Sequence, residues 1–173
     1  MLNAMWDDIT SLPLHATDDT KGKAQMDDIR TGMPLLTRHE GEWEGTYIHV
    51  DTDNVEVDRH KSHLVCKFTS DGEFPYYQIN TYTWDDGRTE ELHFPATYRD
   101  KQIFWDTDRI LGRAWEIDAK TVVLTWTRKG EPGTYLYEMI QLSDDGNDRG
   151  RTWHWFENDK LVKRTCIKEK RVK

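Results

Sequence analysis

The stretch His39-Glu-Gly-Glu-Trp-Glu-Gly-Thr-Tyr-Ile-His-Val-Asp51 decides how the chain is read. Gly41, Trp43, Gly45, Tyr47 and His49 recur at two-residue spacing, with charged or aliphatic residues between them. A strand sends alternate side chains to opposite faces, so these five positions share one face. Two glycines, two large aromatics and a histidine pack poorly against one another. They are suited to lining a hollow, in which the glycines make room, Trp43 closes the floor, and Tyr47 and His49 face the contents.

The same period continues downstream. From residue 42 onward, short extended runs are divided by turn chemistry such as Asp51-Thr-Asp-Asn54, Asp85-Asp-Gly87, Arg99-Asp-Lys101 and Glu157-Asn-Asp159. Ten strands are predicted, at 42–50, 55–68, 74–84, 88–97, 101–107, 110–117, 121–128, 134–142, 150–157 and 160–169. Connections this short force neighbours to be antiparallel. A meander of ten strands has two edges to protect, and closing on itself removes both. The fold expected is therefore all-β, an antiparallel up-and-down barrel, with a two-sheet sandwich as the runner-up.

Residues 1–38 differ from the rest. They show no alternation and only scattered apolar anchors, among them Trp6, Ile9, Leu12, Leu14, Met26 and Ile29. They read as an irregular arm with one brief helix, packed across or over one end of a barrel domain spanning 39–173.

At 173 residues the chain fits one domain, which buries roughly 70% of its unfolded surface. Eight Trp, seven Tyr and five Phe offset a low apolar share, because each buried aromatic removes about 150–250 Å² from water. The net charge of −8 argues against nucleic acid or an anionic membrane as partner. The basic residues from Lys160 to Lys173 are read as a solvated last strand and tail. No signal-like start and no run of ~20 apolar residues is present, so a cytoplasmic location is expected. Cys66 and Cys166 are then reduced thiols.

Gly41-Glu42-Trp43 resembles the Gly-x-Trp element that opens the first strand of lipocalin-like (calycin) barrels. The runs at 34–51, 82–100 and 151–156 are similar to an uncharacterised bacterial family of lipocalin-like domains, over roughly residues 34–170. The resemblance implies a ligand-holding barrel whose floor Trp is covered by an Arg from the last strand. It assigns that role to Arg164, flanked by Val162 and Cys166, against Trp43.

Parity then sorts the inner faces. Ser62, Leu64, Cys66 and Phe68 are placed inside on the second strand, and Tyr76, Gln78, Asn80, Tyr82 and Trp84 on the third. Leu92 with Phe94, Ile103 with Trp105, Arg113 with Trp115 and Ile117, and Val122 with Leu124 and Trp126 follow. Strands eight and nine are ambiguous: Tyr135, Tyr137 and Met139 compete with Leu136, Ile140 and Leu142, and His154 opposes Trp153 and Trp155. A filled core would penalise so many polar groups, at about 1–3 kcal/mol for each left unpartnered; a ligand cavity would not.

The ligand-binding candidates are thus Gln78, Asn80, Tyr82, Trp84, Trp105, Arg113, Trp115, Trp126 and Tyr137, for a mostly apolar molecule, aromatic or terpenoid-like. His49 with Tyr47 heads the catalytic candidates, and His154 with Tyr137 follows, for acid–base chemistry of an isomerase, lyase or hydratase. His60 and His63, three apart on a strand, point to opposite faces, and no His-x-His pair occurs, so neither metal nor another cofactor is expected. No phosphate-binding glycine loop and no Gly-x-Ser-x-Gly elbow is present. The sequence does not decide between a carrier and an enzyme, nor does it set the oligomeric state.

Overall fold

The structure, a computed structural model, describes residues 28–70 and 73–172. Ten antiparallel strands close into a barrel: β1 (Gly41–Val50), β2 (Glu56–Phe68), β3 (Tyr76–Thr83), β4 (Thr89–Arg99), β5 (Gln102–Asp106), β6 (Ile110–Glu116), β7 (Thr121–Arg128), β8 (Thr134–Leu142), β9 (Asp148–Glu157) and β10 (Lys160–Arg171). Each strand pairs with its sequence neighbour, and β1 pairs with β10 to close the ring. Every edge is thereby used.

Local chemistry sets the corners. The two-residue connections Asp100-Lys101 and Asn158-Asp159 have positive φ at both positions, the condition for hairpin turns that follow the strand twist. Closure depends on Gly45. A Cβ there would lie 2.4 Å from the Lys168 carbonyl oxygen and 2.5 Å from Glu169 Cγ, so a side chain at 45 would hold β10 away. Gly112 does the same for Trp126 across β6 and β7, with 2.4 Å to its Cβ.

Residues 28–32 are helical and lead into a one-turn helix, α1 (Pro34–Thr37). Together they cap the end where β1 begins. Ile29, Met33, Leu35 and Leu36 are buried in the same core as Trp43 and Leu64, each worth about 1.5–3 kcal/mol of apolar burial. The Leu36 amide donates to Glu116 Oε1 at 2.7 Å. Arg171 donates to the carbonyls of Arg38 and Glu40, tying the cap to the last strand. The expected anchors Trp6, Ile9, Leu12, Leu14 and Met26 lie outside the described residues.

Candidate functional site

Residues paired directly across strands share a face, so the register fixes what points inward. Opposite Trp43, Gly45, Tyr47 and His49 on β1 stand Arg171, Glu169, Ile167 and Thr165 of β10. On β2 the partners are Leu64, Ser62, His60 and Asp58. Tyr76, Gln78, Asn80 and Tyr82 of β3 continue the same layer. Leu92, Trp105, Trp126, Leu136, Trp153 and Trp155 complete the wall.

Five sequence-derived candidates stand outside it. Arg113 and Trp115 project outward from β6, with the guanidinium 5.2 Å from the ring; the inner positions there are Ile110, Gly112, Ala114 and Glu116. Ile117 is exposed as well. Tyr137 is 44% exposed and pairs with the exposed His154 on the outer face. Arg164 pairs with Val50 at the far end from Trp43 and bonds the Asn54 side chain. Thr165 and Ile167, not Val162 and Cys166, face inward on β10.

Trp43 does carry guanidinium groups. Arg149 and Arg171 each lie 4.3 Å from its ring centroid, and its indole donates to the His39 carbonyl at 2.9 Å. Alternation misplaced this arginine because β10 buries a charge. Glu169 is 0% exposed and Arg149 and Arg151 about as deep, at 4% and 5%. Arg149 pairs with Glu169; Arg151 pairs with Glu138 and, at 3.3 Å, with Glu169. Burial alone would ease the protons off these arginines, but the facing carboxylates hold both above their ordinary range. Arg151 also donates to Tyr47 Oη at 2.8 Å.

Above this network the polar inner residues form a ladder along β3. Tyr76 donates to Gln78, Gln78 to Asn80, and Asn80 to Tyr82, at 2.7, 2.7 and 2.8 Å. Burial raises the phenols of Tyr47, Tyr76 and Tyr82, so all three keep their protons.

Beyond Tyr47 and Tyr82 the barrel opens. A cavity of about 600 Å³ reaches the mouth between His49, Asp58, His60, Trp84, Trp126, Trp153, Trp155 and Lys163, among others. A deeper one of about 60 Å³ lies below it, bordered by Gln78, Asn80 and Trp105, and the two share Phe94, Ile110, Trp126 and Trp153. The indole nitrogens of Trp105 and Trp153 and Nε2 of His60 are buried and have no hydrogen-bond partner among the described residues.

At the mouth Asp58 joins three rings. Its Oδ2 is 2.7 Å from His60 Nδ1 and 3.8 Å from His49 Nε2, and its Oδ1 accepts from Trp84 Nε1 at 2.9 Å. Burial would raise this carboxyl, but the bonds from His60 and Trp84 hold it below the usual range. His49 Nδ1 meets Thr165 Oγ1 at 2.8 Å. Burial, with Lys163 close by, lowers the His49 pKa to about 4. His49 is therefore neutral, held by Thr165 and a weak base. Asp58 fixes one ring nitrogen of His60, and the other has no hydrogen-bond partner among the described residues. The sequence signal for it was Asp58-x-His60 on the inner parity of β2, opposite His49 and Tyr47.

Neither a protein-family model nor a curated protein matches the sequence. Among solved structures the fold is similar to an S-type phycobiliprotein lyase, CPES, from Guillardia theta. That likeness has a TM-score of 0.63 and 14% identity over 92% of this chain and 99% of that one. It is also similar to a protein of unknown function from the DUF3598 family of Nostoc punctiforme, with a TM-score of 0.62 and 16% identity over 79% of this chain. The match spans 49% of that second protein, about half its length. At these identities the likeness is one of fold: a closed antiparallel barrel shared with both.

Proposed function

We propose that the barrel binds one mostly apolar, aromatic small molecule in the cavity at its open end. One observation carries this reading. A cavity of about 600 Å³ has an aromatic wall, with His49, Asp58 and Lys163 beside the rings as its polar groups. The volume falls within the range of about 300–1,000 Å³ used for drug-sized ligands. A ligand with one or two polar handles would meet those polar groups while its apolar body meets the rings. Trp84, Trp126, Trp153 and Trp155 supply stacking surface, while Tyr82 lies at the inner end. A cytoplasmic setting accords with this reading, since both cysteines are free thiols.

The test is intrinsic Trp fluorescence and thermal shift against a panel of aromatic acids, phenylpropanoids and terpenoids, with native mass spectrometry of freshly purified protein. Quenching together with a rise in Tm is expected for at least one class. A panel that moves neither signal would count against a binding cavity.

A second reading is cofactor-independent proton transfer on the bound molecule. The Asp58–His60 pair on the cavity wall favours it, because a carboxylate that holds one ring nitrogen orients the imidazole as a base. The barrel shape shared with a phycobiliprotein lyase is compatible with such chemistry. If this reading holds, His60→Ala should lower turnover by roughly 10²–10⁴-fold, and His154→Ala should leave it unchanged.

A further inference from the structure

We propose that His49, Asp58 and His60 form a site for one divalent first-row transition ion, such as zinc or ferrous iron, with its open coordination positions facing the large cavity. Strand register assembles the donors. Asp58 and His60 are two apart on the inner face of β2, and β1 sets His49 directly opposite Asp58. One ligand atom from each lies within 4.8 Å of the other two.

The spacing suits an ion. Donors bound at about 2.0–2.2 Å to one metal stand roughly 3 Å apart. Around Asp58 Oδ2 the separations are 2.7 Å to His60 Nδ1 and 3.8 Å to His49 Nε2, one on each side of that value. Two imidazoles and one carboxylate are a donor set for Zn, Fe or their neighbours, and three protein ligands leave positions for water or substrate.

The atoms of His49 and Asp58 turned away from the site are held as metal ligands usually are. Thr165 Oγ1 holds Nδ1 of His49 and itself accepts from the Trp155 indole at 3.0 Å. Trp84 donates to the Asp58 oxygen not used by the ion. Tyr47 stacks on the His60 ring with centroids 5.1 Å apart. His49 and His60 are only 8% and 6% exposed, and both line the large cavity. The site stands independently of any organic ligand. An ion here replaces the proton between His60 Nδ1 and Asp58, so it and the proton-transfer reading exclude each other.

The test uses the full chain, stripped with a chelator and then dialysed free of it. Cobalt(II) titration followed by visible absorption, and zinc(II) titration in competition with a chromophoric chelator, should each report one equivalent. His60→Ala and Asp58→Asn should weaken binding by at least about 100-fold, and His49→Ala provides a third variant should one of them misfold by circular dichroism. His63→Ala, on the outer face and paired with Glu42, should bind like the parent. Failure to take up either metal stoichiometrically below about 100 μM would overturn the site, as would equal binding by the folded His60 and Asp58 variants. Running the organic panel in chelator keeps the two outcomes separate, since fluorescence quenching there owes nothing to an ion.

Discussion

The two ends of the barrel use polar residues in opposite ways. At the capped end Arg149, Arg151, Glu138 and Glu169 are at most 5% exposed, and each lies in an ion pair. At the open end His49, Asp58, His60 and Lys163 surround space. Both ends are closed by backbone pairing. What separates them is whether the polar side chains meet fully buried opposite charges inside the protein or stand around a cavity. Where they meet, the residues act as core; where they stand around space, a ligand is expected to complete them.

The largest effect should come from breaking a satisfied pair. Glu169→Leu leaves Arg149 buried without its carboxylate and removes one of two from Arg151. The expected loss is about 3–5 kcal/mol, a large part of the ~5–15 kcal/mol typical of a domain. His60→Ala at the open end should cost less than half as much, because the charge it leaves behind, on Asp58, is partly exposed. Guanidinium unfolding midpoints measure both. Equal losses would mean that the open end is core as well, and the contrast would fall.

This division was partly legible in the sequence. Alternation and turn residues gave all ten strands to within a few residues, and the inner faces of β1, β2, β3 and β7 followed from apolar parity. Parity failed on β6 and β10, where the rule itself misleads. On β6 the large residues Arg113 and Trp115 pack on each other outside, while Gly112 and Ala114 face in to admit Trp126. On β10 the inner set holds Glu169 and Arg171, and the charge at Glu169 is matched from β9, twenty residues away in sequence. No local pattern reveals a buried charge whose partner is supplied by another strand. The same limit hid His60. The spacing to Asp58 was visible, but the approach of both to His49 appears only once β1 and β2 are in register.

Acidity should separate the ends next. His39, buried at the capped end, is pushed well below the usual histidine range by desolvation and by the surrounding arginines, Arg149 first. Below about pH 6.5 the unfolded chain therefore takes a proton that the folded chain refuses. Stability is complete above that pH and is lost as pH falls through and below it. His49, lowered to about 4, adds to the slope in the same sense from the open end. His39→Gln should thus flatten the loss of stability between pH 7.5 and 5.5 without abolishing it, read from urea midpoints at the two values. An unchanged slope would remove His39 from the account.

The smallest effect concerns which arginine supports Trp43. A guanidinium 4.3 Å from a buried indole should couple to it by about 1–2 kcal/mol. A double-mutant cycle of Trp43→Phe with Arg149→Lys should return a coupling of that order, since phenylalanine offers a weaker face and lysine no planar group to stack. The parallel cycle with Arg164→Lys should return zero within error. Arg164 pairs opposite Val50 and reaches Asn54 on the β1–β2 turn, so its replacement alone should fall within about 0.5 kcal/mol of the parent. Apolar parity puts the floor arginine at Arg164, whereas the register sets Arg171 opposite Trp43 and both Arg171 and Arg149 lie 4.3 Å from its ring. Coupling in the second cycle and none in the first would show β10 shifted from the register described, and with it the inward placement of Thr165, Ile167 and Glu169 on which the contrast between the two ends depends.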